Sequence, residues 1–437
     1  MNAISGNNFF TRPFSLPYQL GIYLAANAVS DSCVVMDGAN CVMPKIDFLA
    51  GNHDLYSTLL SPDGEHRIIC TMAAPLPQKE NPEKQLSAFL AGVAGSGCFS
   101  VVMLTGLPFL KLAGMDHEGI AAGIKSGCAV VDVPQGSLER DWLDGYALAL
   151  EALARALPLK KIKKRRRSVA LAGYFFDRNE GDHAANIKEL RRLLKLCGLD
   201  LVCVFPSGGS FGELSRALEA EVIVSLPYGR KAAERLAGRS GARLVETGLP
   251  LGLKGTSGWL KAVCAAAGIK GELPPAIRKL ERKTAAAISP SLSALVHRSL
   301  VYAGDPYLFA GLSSYAAELG MSIPLALIDS FQKPLGTGKV PGGLLFSPDS
   351  ADASAAVRGL SGFSKPALLA GNSFALSEGF SDNLPFLELG FPSYGHHCLA
   401  DEPFFGYAGA LSLAGRLLNG ISGPKIAAES GAGRSGC

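Results

Sequence analysis

Residues Ser168–Ala217 read SVALAGYFFDRNEGDHAANIKELRRLLKLCGLDLVCVFPSGGSFGELSRA. The apolar runs Val169–Phe176 and Leu199–Phe205 lack the strict alternation of a half-exposed strand, as parallel strands buried on both faces do. Between them Ile187, Leu190, Leu193 and Leu194 recur at helical spacing. The stretch therefore predicts strand, polar turn, amphipathic helix, strand, then a Gly/Ser turn opening another helix, which is a βαβ unit.

The same grammar extends outward. Upstream, strands are expected near Ser32–Met36, Arg67–Met72, Phe99–Leu104 and Gly127–Val133, closed by a helix over Leu143–Leu157 that Pro158 stops. Within the central block, strands are expected at 169–175, 200–205, 221–225 and 243–246. Downstream, VHRSLVYAGDPYLFAGLSSYAAELGMSIPLALIDS (Val296–Ser330) repeats strand, turn, helix, strand. The fold class implied is α/β, with three Rossmann-like domains, each a short parallel β-sheet flanked by helices. The boundaries are an N-terminal domain at 1–159, a basic linker at 160–167, a middle domain at 168–277, a C-terminal domain at 278–424, and a Gly/Ser/Ala tail at 425–437 expected to be disordered.

Composition narrows the function classes. A chain of 437 residues, 48% hydrophobic and 18% charged with 51 glycines, suits a multidomain α/β protein and is neither disordered nor fibrous. A net charge of +4 implies no polyanionic partner. The basic run KKIKKRRR (Lys160–Arg167) lacks interleaved aromatics and reads as a solvated linker, so no nucleic acid is expected as a partner. No apolar run is long enough to span a bilayer, and MNAISGNNFFTRPF lacks a secretory pattern, so a cytoplasmic protein with no membrane partner is expected. The ten cysteines include no CxxC pair, which leaves neither a disulfide framework nor a zinc ribbon as the expectation.

Three blocks carry a resemblance. These are Ser168–Ala217, then VIVSLPYGRKAAERLAGRSGARLVETGLPLGLKGTSGWL (Val222–Leu260), then LLAGNSFALSEGFSDNLPFLELGFPSYGHHCLADEPFFGYAGALSLAGRLLN (Leu368–Asn419). Together they resemble the nitrogenase component 1 family, which comprises nitrogenase MoFe-protein subunits, their cofactor-assembly scaffolds and nitrogenase-like reductases. The terminal GFP, paired histidines and GYAGAL look like the end of the β-type subunits.

The resemblance implies an iron–sulfur cluster at a subunit interface, held by cysteines from loops of the first domain. VVMDGANCV puts Cys41 at the second loop's place, and GSGCFSVVMLTGLP puts Cys98 at the third. The first loop departs from the pattern, because SLPYQLG (Ser15–Gly21) has no thiol; Cys33 and Cys70 are the nearest replacements. Thiolates suit such clusters as soft anionic donors, four completing a [4Fe–4S] cube, so a set of two or three implies that a homologous component 1 subunit completes it, as heteromer or homodimer. Cys197, Cys203 and Cys264 read instead as core cysteines.

The cysteine that anchors the large cofactor in the family's catalytic subunit corresponds to Ser225 or Leu226 in VIVSLPYGR, so dinitrogen reduction by this chain is not expected. SYGHHCLADE places His396 and His397 beside Cys398, with His397 a candidate metal contact. SGGSFGEL matches neither phosphate-binding fingerprint, and the resemblance implies that ATP is hydrolysed by a partner iron protein and not by this chain. A small-molecule substrate would sit near the strand C-termini, whose edges carry Tyr174, Asp177, Ser225, Tyr228, Asp305, Asn372 and His397. The function implied is that of a component 1-type subunit of a nitrogenase-like oxidoreductase, with catalytic residues unassigned. A non-catalytic scaffold for metal-cluster assembly and a cluster-free small-ligand-binding protein are the alternatives.

Overall fold

The computed structural model describes residues 14–431 apart from 39–45, 47–48, 62, 65, 74–80, 108–109, 111–113, 137–139, 159–162, 208, 332–339, 341–342, 378–379 and 381–383. Thirteen strands, β1–β13, form three wholly parallel sheets among the described residues. The first contains β1 (Ser32–Asp37), β2 (Ile68–Cys70), β3 (Val101–Gly106) and β4 (Ala129–Asp132) in the order β2-β1-β3-β4. The second contains β5 (Ser168–Ala172), β6 (Asp200–Phe205), β7 (Val222–Ser225) and β8 (Arg243–Glu246) in the order β6-β5-β7-β8. The third contains β9 (Ser299–Gly304), β10 (Ser322–Ile328), β11 (Leu344–Phe346), β12 (Leu368–Gly371) and β13 (Phe386–Glu388), ordered β11-β10-β9-β12-β13.

The pattern that announced these strands also explains their burial. Every residue of β1, β3, β5, β7, β9 and β12 is buried, as a central parallel strand covered on both faces must be. Helix Gly181–Leu196 buries Leu190, Leu193 and Leu194 together with Asp182, His183 and Glu189 and leaves Lys188, Arg191, Arg192 and Lys195 outside, while Trp142–Ala156 starts at an Asp141 capping box that stabilises its first turn by about 1 kcal/mol. It packs on helix Tyr18–Asn27, every residue of which is buried. Backbones touch there, because a Cβ on Gly21 would run into the Trp142 carbonyl and one on Gly145 into the Tyr18 carbonyl. The segment read as a divergent cluster loop, Ser15–Gly21, thus leads into a core helix.

By compactness the chain falls into two units. One comprises Pro17–Pro290 and Pro392–Ala414 and contains the first and second sheets. The other holds the third sheet, within Ser291–Phe391, with the described residues before Pro17 and those from Gly415. The C-terminal helix runs Gly406–Gly431, past the point where the sequence ended the domain. Lys164, in the basic run, is not simply solvated: its Nζ donates to the carbonyls of Leu218 and Ala220 at 3.2 and 2.8 Å, and Arg165 pairs with Asp200. Among the described residues no helix is long and apolar enough to cross a membrane.

Candidate functional site

Parallel sheets present their ligands at the C-terminal edge, so the edge of the first sheet is the place to look for the cluster loops. There Cys70 ends β2, and its thiol donates to the Gly38 carbonyl at 3.1 Å, just beyond β1. Around it Asp37 is buried; its carboxylate accepts from the Thr71 hydroxyl at 2.7 Å and meets His117 Nε2 at 2.9 Å. The Gln135 amide donates to His117 Nδ1 at 2.7 Å, which fixes the imidazole with its proton on Nε2, pointing at Asp37. Thr105, at the end of β3, is fully buried, and its hydroxyl has no partner among the described residues. Asp132 closes β4 with one carboxylate oxygen likewise without a partner, and burial raises its pKa.

The three described cysteines expected at a cluster, Cys33, Cys70 and Cys98, do not converge. Cys41 lies outside the described residues, but the chain leading to it leaves β1 at Gly38, on the C-terminal edge. Cys98 precedes β3. Because β1 and β3 pair in parallel, Ser32 with Val101 and Asp37 with Gly106, Cys98 sits at the opposite, N-terminal edge, where Ser100 N–H donates to the Asp31 carbonyl. A six-residue strand of roughly 20 Å separates the two edges. The exposed Cys98 is therefore a turn residue away from that edge. Cys33 is fully buried on β1 among Leu86, Leu90, Val102 and Leu104, and burial pushes its thiol up to about 12. It is a core side chain. Cys70 alone of the described candidates stands at the expected edge.

A second constellation follows β5, in the seven residues Asp177–His183. The sequence there has the polarity of a solvated turn, yet Asp177, Arg178, Glu180, Asp182 and His183 are all buried. Asp177 lies between two imidazoles, His183 Nε2 at 2.5 Å and His53 Nε2 at 3.2 Å. Ser393 N–H donates to His53 Nδ1 at 2.9 Å, so that ring carries its proton on Nε2, the nitrogen that lies 3.2 Å from the Asp177 carboxylate. The Tyr174 hydroxyl bridges His183 Nδ1 at 3.0 Å and the Asn186 amide at 3.3 Å. Burial alone would raise the Asp177 carboxyl, but the His183 and His53 rings hold it well below the usual range. Burial likewise opposes protonation of His183, and Asp177 and Asp182 overcome it, raising that histidine's pKa.

Arg178 engages Asp182 through Nε at 3.1 Å and Nη2 at 2.5 Å, and its Nη1 donates to the His396 carbonyl at 2.9 Å. Glu180 accepts from Cys398 N–H at 2.7 Å and pairs with His397 Nδ1 at 2.8 Å. These buried charges clamp the turn 392–402 against the second sheet. His397, expected as a metal contact, is thus held by a carboxylate. Its neighbour His396 instead points Nε2 toward Cys398 Sγ at 3.4 Å.

The other expected edge residues have structural partners. Tyr228 is buried and stacks on Phe175 at 4.9 Å; Ser225 takes the Arg230 guanidinium on its hydroxyl at 3.1 Å. Asp305 caps helix Pro306–Glu318, and the Asn372 amide donates to Asp329 and to the Phe391 carbonyl.

Three parallel sheets of this size and order define an α/β architecture that known proteins share. The family model for nitrogenase component 1 type oxidoreductase matches residues 84–422, and the chain belongs to that family. It is 26% identical to the nitrogenase molybdenum-iron protein beta chain of Frankia alni over 273 residues, 56% of this chain and 50% of that one. It is 27% identical to the light-independent protochlorophyllide reductase subunit N of Heliobacterium modesticaldum over 224 residues, 46% of this chain and 49% of that one. The chain thus spans about half the length of these relatives. A solved structure titled "Nitrogenase Cp1 at pH 6.5" superposes with a TM-score of 0.81 over 98% of this chain and 96% of that chain, at 15% identity, which speaks for the fold.

Proposed function

We propose that this chain is a component 1-type subunit that receives electrons from an ATP-hydrolysing iron protein through an iron–sulfur cluster at an interface with a homologous subunit. The observation that carries the reading is the C-terminal edge of the first sheet in a member of this family. It offers the Cys70 thiol, Gly38 at the end of β1, from which the chain runs on to Cys41, and a fully buried Thr105 hydroxyl without a described partner.

The fit to a cluster is one-sided. The end of β3 offers Gly106 and Leu107 and no thiol, so a four-thiolate cube would need about two further ligands from a partner chain. A bound cluster supplies a one-electron relay. Around it Asp37 would be oriented by Thr71 and His117, and the His117 ring by Gln135. Such hydrogen-bonded carboxylates adjust the charge beside a cluster and hold its loops. A cytoplasmic setting suits reduced thiols.

The chain lacks a thiol at Ser225 and Leu226, and the Ser225 hydroxyl is committed to Arg230. That favours a partner-subunit or different-substrate role over dinitrogen reduction on this chain. The test is stopped-flow mixing of the anaerobic complex with reduced iron protein and MgATP. Oxidation of the iron protein that requires ATP and disappears in Cys41→Ala supports the reading; no oxidation with any nucleotide refutes it.

A further inference from the structure

Outside the first-sheet edge, one group of side chains has the donor set of a metal site. His396 Nε2, Cys398 Sγ and a Glu402 carboxylate oxygen all lie within 4.8 Å of one another. The His396 Nε2 to Cys398 Sγ separation is 3.4 Å, and His396 Nε2 to Glu402 Oε2 is 4.0 Å. For an ion with Zn–S of about 2.3 Å and Zn–N of about 2.0 Å, tetrahedral angles require an S···N edge of about 3.5 Å. The observed edge is already at that value, and the half-exposed Glu402 must move by about 0.7 Å to bring its oxygen from 4.0 Å to the N···O edge of about 3.3 Å.

We infer that His396, Cys398 and Glu402 bind a single Zn²⁺-class divalent ion. Imidazole and thiolate select a borderline-soft ion over magnesium or calcium, and a thiolate with one carboxylate neutralises its charge. The ligands' backbones are already fixed. Cys398 N–H donates to Glu180 at 2.7 Å, the Cys398 carbonyl accepts from Gly181 N–H at 2.7 Å, and the His396 carbonyl accepts from Arg178. Arg178 Nη2 also approaches Cys398 Sγ at 3.7 Å, placing a donor behind a thiolate. That guanidinium is itself held by Asp182 and Glu180, so it leaves no net positive charge against the ion. Nearby Asp401 is taken by Lys188. Cys398 is buried while His396 and Glu402 are 34% and 50% exposed, which leaves the solvent side open for a water as fourth ligand.

All three donors come from one seven-residue segment of this chain, so the site is independent of the iron–sulfur reading. The test uses full-length protein stripped with EDTA and titrated with zinc, followed by metal analysis and zinc K-edge absorption. The expected result is one zinc per chain with a single sulfur at about 2.3 Å. Cys398→Ser, with a wild-type circular dichroism spectrum, should lose the sulfur shell, and Glu402→Gln and His396→Gln, each removing a direct ligand, should weaken binding by at least the roughly tenfold that loss of an outer-shell partner costs. Asp401→Asn should bind as wild type does. Absence of stoichiometric zinc in the wild type, or a sulfur shell that survives in Cys398→Ser, overturns the inference.

Discussion

Replacing Asp177 by Asn tests the buried clamp most sharply. Both His53 and His183 direct Nε2 at the Asp177 carboxylate, from 3.2 and 2.5 Å. An amide of the same shape keeps one acceptor and turns an NH₂ toward the other ring. His53 has no easy escape, since its Nδ1 already accepts from Ser393 N–H. A hydrogen bond to a charged partner is worth about 1.5–3 kcal/mol, and an unsatisfied buried donor adds about 1–3 kcal/mol. With one contact retained, the expected loss is about 3 kcal/mol, or roughly a hundredfold in a local opening equilibrium at 1.4 kcal/mol per factor of ten. Hydrogen exchange by mass spectrometry reads that opening without requiring the whole chain to unfold in one step. Amides in peptides covering 392–402 should exchange about a hundredfold faster in Asp177→Asn, while those of β9 and β10 should not change. Protection of 392–402 within about threefold of wild type would refute the claim that Asp177 holds this turn through His53.

Other consequences follow from the same geometry. The raised pKa of His183 means its stabilising ionisation is complete below its unfolded value of about 6.5 and is lost as pH rises through the folded value, whereas the depressed Asp177 loses its contribution only as pH falls below about 3.9. Exchange protection of 392–402 should therefore fall between neutral and alkaline pH, and a His183→Gln variant should be flat over that range. Gly173, at φ +78° with the Leu226 carbonyl 2.7 Å from where a Cβ would stand, should not accept alanine; Gly173→Ala is expected to cost at least about 3 kcal/mol in a denaturant titration followed by circular dichroism. Brief alkylation at pH 8 should modify exposed Cys98 and spare Cys33, whose buried thiol is pushed up to about 12, and peptide mass mapping reads both at once.

The strands were legible because two-sided burial writes itself as unbroken apolar runs: β6 fills the run Leu199–Phe205, whereas β5 takes only the first part of Val169–Phe176 and ends at Ala172. The site was less legible for two physical reasons. A motif match fixes a cysteine's place along the chain but not the edge of the sheet it reaches: Cys98 precedes its strand, and a thiol before a parallel strand emerges opposite one that follows its neighbour. Weighing each candidate by whether it follows its strand would have kept Cys41 and Cys70 and set Cys98 aside. The second reason is that charge density in Asp177–His183 mimics a solvated turn. What buries it is the distant turn 392–402, with His53 beneath, and no local window contains all three.

A redox subunit of the kind proposed here would hold its cluster at the C-terminal edge of the first sheet. Its most direct test is iron and acid-labile sulfide content, with electron paramagnetic resonance after dithionite reduction, on protein purified anaerobically through a chromosomal tag from its own cells. Iron and sulfide are expected in the wild type and in Cys98→Ala, with loss in Cys41→Ala and in Cys70→Ala. Iron-free wild type, or iron that depends on Cys98 and not on Cys41 or Cys70, would contradict it.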